Sequence, residues 1–94
     1  MMSTLTAPKE QSTIVIEPLY QVIIWNDNVH TMHEVVLALM KTFGHNRRLA
    51  TKIVKEANDK GKAIVEVEGQ EYATLHRDQL RGYSPPFVVN IERV

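Results

Sequence analysis

The stretch Tyr20-Gln21-Val22-Ile23-Ile24-Trp25-Asn26-Asp27-Asn28, followed two residues later by Thr31-Met32-His33-Glu34, decides how the chain is read. Aromatic and β-branched side chains from Tyr20 to Trp25 suit a pleated, buried surface, which predicts a strand. Asn26, Asp27 and Asn28 then offer the backbone short polar side chains to bond with, so the strand ends in a loop. Thr31 and Glu34 have the spacing of a capping box, in which each side chain satisfies the other residue's free backbone N–H. Met32, Val35, Val36, Leu39, Met40 and Phe43 recur at spacings of three, four and seven, and Gly44 is a suitable stop, so an amphipathic helix follows.

Working outward, Asn46 is an N-cap for a second helix with Leu49, Ala50, Ile53, Val54 and Ala57 inward, ending near Asp59-Lys60-Gly61. Ala63 to Glu68 alternates polar and apolar residues at its far end, which predicts a strand with one solvated face, closed by Gly69. Gln70 to Arg81 carries Tyr72, Ala73, Leu75 and Leu80 in a less regular helical pattern. Phe87 to Glu92 alternates after Pro85-Pro86, so Phe87, Val89 and Ile91 share one face of a last strand. The order β-α-α-β-α-β predicts a two-layer α+β domain, a three-stranded antiparallel sheet packed against three helices. Residues 1–17 are rich in Ser and Thr and show no period beyond Ile14-Val15-Ile16, so they are read as a flexible N-terminal tail and 18–94 as the single core domain.

Composition removes several function classes. The 94 residues contain no cysteine, which excludes disulfides, thiolate metal sites and a cysteine nucleophile. Eleven basic residues balance eleven acidic ones, unlike a chain that tracks nucleic-acid phosphates, and the short basic cluster His45-Asn46-Arg47-Arg48 is read as a solvated helix start. Neither a secretory h-region nor a bilayer-spanning run is present, so a cytoplasmic address is expected, or the plastid stroma if the gene is a plant's. A monomer without cofactor is expected, binding neither nucleic acid nor membrane.

No G-x-S-x-G, P-loop or paired catalytic acids occur, and the Asn26-Asp27-Asn28 turn lacks the glycine and glutamate of a calcium loop. His30, His33 and His45 with Asp27 suggest a metal site only if the fold gathers them, and exposed or capping histidines are the plainer reading. The turn itself admits two readings: an Asx-type turn leading into the helix, or a carboxylate and two amides offered to a ligand. The chain is expected to be a binding module rather than an enzyme.

The block Y-x-V-I-I-W-N-D-N from Tyr20, Thr31-Met32 at the helix start, Ala50-Thr51 in the second helix, Gly61-Lys62-Ala63 and the final P-F-V-V-N-I-E-R together resemble the ClpS family of adaptors. The resemblance extends over the whole chain after the tail and suggests a divergent paralogue of cyanobacterial or plastid type. It implies an adaptor that binds the bulky hydrophobic N-terminal residue of a substrate protein and delivers the substrate to a Clp-family AAA+ unfoldase, of ClpA or ClpC type, coupled to a protease. By the same resemblance Asn26, Asp27 and Asn58 would accept from the substrate's α-amino group. Trp25, Met32, Val35, Val54, Ala57 and Phe87 would line the pocket, with Asn28 at its mouth. Glu71 and His76 would face the unfoldase's N-terminal domain, and the tail would be offered to its channel.

Departures from the family pattern qualify the expected specificity. Asn58 stands where many members have histidine, Asn28 where aspartate is common, and His76 where lysine is frequent. Val54 and Ala57 are smaller than the family's residues and Phe87 is larger than its usual leucine. Altered or narrowed selection of the first residue is therefore expected, with leucine retained over tryptophan or tyrosine. Two rival readings are an interaction domain of the same fold without a degron pocket, like the factor-binding domain of the ribosomal stalk, and a metal enzyme using His30, His33 and Asp27.

Overall fold

The computed structural model describes residues 17–94, so the expected tail lies outside the described residues apart from Glu17. Three strands, β1 (Leu19–Trp25), β2 (Lys62–Gly69) and β3 (Val89–Arg93), and three helices, α1 (Met32–Phe43), α2 (Arg47–Lys60) and α3 (Gln70–Arg81), follow the order β-α-α-β-α-β. The sheet is antiparallel with β1 in the centre, between β2 and β3. A central strand is covered on both flanks, which suits the unbroken apolar run Val22-Ile23-Ile24, all of it buried.

The helix ends use the signals written at them. Thr31 Oγ1 accepts from Glu34 N–H at 3.1 Å while the Glu34 carboxylate accepts from Thr31 N–H at 2.8 Å. Asn46 Oδ1 accepts from Leu49 N–H at 2.8 Å. Gly44 and Gly61 close α1 and α2 in the left-handed region, at φ 74° and 91°, where a β-carbon is disfavoured. The helices pack through Val36, Ala38 and Leu39 of α1, Ala50, Ile53, Val54 and Ala57 of α2, and Ala73 and Leu80 of α3 against Val22, Ile24, Ala63, Val65 and Val89 of the sheet. Arg81 fastens the end of α3 to the edge strand, donating from Nε and Nη2 to Val89 O at 2.9 and 2.7 Å.

Three details differ from the sequence reading. Leu49, expected inward, is 41% exposed, because α2 needs only Ala50, Ile53, Val54 and Ala57 to fill its contact with the sheet. Tyr72 and Leu75 of α3 are likewise exposed, leaving Ala73 and Leu80 as its anchors. The third lies in β2, where the register slips by one opposite Val22 and Ile23. A bulge adds one residue and reverses the faces beyond it. Val67 is consequently 45% exposed, while Glu66 and Glu68 come to lie opposite Val22 and Tyr20. These two carboxylates meet His45 at 3.4 Å and His76 at 2.6 Å.

Candidate functional site

β1 ends level with the start of β2, Trp25 pairing with Lys62. Trp25 N–H still bonds to Val88 O, and Asn26 N–H to Gly61 O at the end of α2, both at 2.9 Å, so the chain leaves the sheet beside the C-terminus of α2. The next residues are folded by a single carboxylate. Asp27 Oδ1 accepts from Val29 N–H at 2.8 Å and His30 N–H at 2.9 Å, an Asx-type turn, and Oδ2 lies 3.1 Å from His30 Nδ1. Burial pushes the Asp27 carboxyl up, but the two backbone amides and the His30 ring together outweigh it and hold the group below its ordinary value.

This turn, the start of α1 and the last turns of α2 enclose a cleft of about 30 Å³, bordered by Ile24, Trp25, Asn26, Asp27, His30, Met32, Val35, Val54, Ala57 and Asn58. That volume is room for roughly two waters. Val54 and Ala57 are buried and give it a small, apolar floor; Met32 is 43% exposed and stands at the rim. Among the described residues, neither the Asn26 nor the Asn58 carboxamide has a hydrogen-bond partner, so both oxygens remain acceptors for a ligand. The Asp27 carboxylate keeps one further lone pair on Oδ2.

The structure thus gathers Trp25, Asn26, Asp27, Asn58, Met32, Val35, Val54 and Ala57 around one cleft and leaves Asn28 and Phe87 outside its border. Trp25 borders the cleft, yet strand alternation turns its indole to the far face of the sheet, where Nε1 donates to Asn90 Oδ1 and the Lys62 ammonium lies 4.9 Å from the ring. Ile24, one residue earlier, supplies the buried inner wall. Asn28 is exposed on the turn and does not border the cleft. Phe87 is buried behind His30, stacked on its ring at 3.9 Å between centroids, and faces a separate groove between α1 and the segment after α3. Glu71 is open on the first turn of α3, whereas His76 turns inward to Glu68 and packs on Phe43 with centroids 4.6 Å apart. The two therefore do not share a surface.

His30 is the site residue that the sequence reading treated only as a conceivable ligand. Its ring is nearly enclosed, with Nδ1 on Asp27 and Nε2 2.9 Å from Pro85 O. The signal for it was the Asp-x-x-His spacing, which lets one carboxylate take both the backbone and the ring of the third residue onward. For the metal reading, His33 is exposed and His45 bonds Val65 O on β2, and no three metal-ligating side chains cluster among the described residues. Nor is any helix among these residues long and apolar enough to cross a membrane.

Comparison with known proteins agrees with this architecture. The chain superposes on the structure of Agrobacterium tumefaciens ClpS2 bound to L-phenylalaninamide with a TM-score of 0.71, covering 84% of this chain and 100% of that one at 21% identity, a likeness of fold. Residues 16–86, well over half of the sequence, match the family model of the ATP-dependent Clp protease adaptor protein ClpS. The chain belongs to the ClpS family of adaptors.

Proposed function

We propose that the cleft binds the free N-terminal residue of a substrate protein, and that the chain delivers that substrate to a Clp AAA+ unfoldase. The observation that carries this reading is the convergence of acceptor oxygens from Asn26, Asp27 and Asn58 on the same small cleft as the apolar Met32, Val35, Val54 and Ala57. A free amino terminus is cationic at neutral pH and needs such acceptors when it is removed from water. Burying a leucine-sized side chain contributes roughly 1.5 to 3 kcal/mol and each charge-assisted hydrogen bond about 1.5 to 3. A micromolar complex needs about 8, so neither half of the site suffices alone.

The cleft of about 30 Å³ must widen to admit any bulky side chain. Met32, with three rotatable bonds and an exposed position on the rim, is the residue able to move at low cost. This supports narrowed selection, with leucine bound more tightly than tryptophan or tyrosine. Titration with Leu-, Phe-, Tyr- and Trp-initiated peptides tests it, and equal affinities for all four would remove the narrowing. Docking on the unfoldase's N-terminal domain is assigned to Glu71 with its exposed neighbours Tyr72 and Leu75, which lie on one side of α3. Glu71→Ala is expected to weaken co-purification with the unfoldase while leaving peptide affinity unchanged.

A further inference from the structure

His30 is placed to control the acceptor that the ligand needs. Its side chain is 7% exposed and that of Asp27 13%, and its ring forms one wall of the cleft. Both ring nitrogens face oxygens, Nδ1 the Asp27 carboxylate at 3.1 Å and Nε2 the Pro85 carbonyl at 2.9 Å. A neutral imidazole can donate to only one of them, and the imidazolium donates to both. The ring cannot swing aside easily, because Phe87 stacks on it at 3.9 Å. Around it, Asp27 is the charged side chain of the cleft, Glu34, Lys41 and Tyr83 border the groove on its other side, and Asn58 across the cleft does not titrate.

We propose that His30 is a positioning residue that makes capture of the substrate's α-amino group pH-dependent, its ring opposing the ligand's cation beside the Asp27 carboxylate when protonated and not when neutral. This rests on the proposed binding of N-terminal residues in the same cleft. The competition is electrostatic: an imidazolium and an ammonium facing the same Asp27 carboxylate in a narrow cleft are like charges and repel. Asp27 stays ionised throughout the neutral range, since its turn holds the carboxyl low.

The test is titration of a Leu-initiated, C-terminally amidated peptide without ionisable side chains, between about pH 5.5 and 7.5, where its amino group is largely cationic. Wild type is expected to bind about tenfold more tightly at the upper pH, the equivalent of one charge-assisted contact. His30→Gln, which keeps a donor that does not titrate, and His30→Phe, which keeps the stack on Phe87, are both expected to flatten this slope to within about twofold and to exceed wild type at the lower pH. A flat wild-type profile, or a slope that persists in both variants, overturns the role of His30 alone. Absence of peptide binding at every pH overturns the binding reading as well.

Discussion

Replacing Asp27 with asparagine removes a charge while leaving the shape of the turn, which makes it the most informative single perturbation of stability. Oδ1 of an asparagine can still accept from the amides of Val29 and His30, bonds that measure 2.8 and 2.9 Å in the native turn. Hydrogen bonds to a charged group contribute about 1.5 to 3 kcal/mol and neutral ones about 0.5 to 1.5, so the loss is roughly 1 kcal/mol for each. Partial solvent screening reduces the two together to about 1 kcal/mol, or some 4–8 °C in Tm for a domain of this size. The pH dependence follows from the depressed carboxyl. Its stabilisation is complete above the ordinary value of 3.8 and is lost as pH falls through the lower value of the folded state. Thermal unfolding of wild type and Asp27→Asn should therefore differ at pH 7, and the difference should shrink as pH falls below 3.8. An equal difference in both pH ranges, or none at pH 7, would refute the assignment of the turn to an ionised Asp27.

Thr31→Ala breaks the reciprocal cap of α1 and is expected to cost about 0.5–2 kcal/mol in urea denaturation, with Glu34→Ala adding less than its separate effect because the two share one motif. Leu80, fully buried, and Leu75, 48% exposed, lie on the same helix, so Leu80→Ala should cost about 2–5 kcal/mol and Leu75→Ala within about 0.5. Gly61→Ala meets no atom within 4 Å yet must hold φ 91°, and the expected loss of roughly 1–2 kcal/mol would be purely a backbone effect.

The fold was legible in the sequence because its signals are local and agree with one another. The capping box at Thr31 and Glu34, the asparagine cap at Asn46 and the glycines after α1 and α2 each fix a helix end within a few residues. The three-four spacing of Val36, Leu39 and Met40 requires nothing beyond α1 itself. What the sequence did not disclose depends on contacts between distant segments. The β2 bulge leaves no mark in Ala63–Glu68, where an apolar run passes into alternation only from Val65, and only pairing with β1 turns Glu66 and Glu68 toward His45 and His76. The family resemblance places Trp25 and Phe87 in the pocket wall; Trp25 borders the cleft but the pleat sends its indole to the other face, and His30 stands between Phe87 and the cleft. His30 itself gave little signal, since its importance comes from Pro85 O and Phe87, more than fifty residues away.

In the proposed function one cleft reads an amino group and an apolar side chain together. Binding of a Leu-initiated peptide, compared with the same peptide acetylated at its N-terminus and with an Ala-initiated one, tests it most directly. The acetylated peptide loses the cation that Asn26, Asp27 and Asn58 would accept, and the Ala-initiated one loses most of the apolar burial, so each should bind at least about tenfold more weakly. Equal affinity of the acetylated and free peptides would contradict the account.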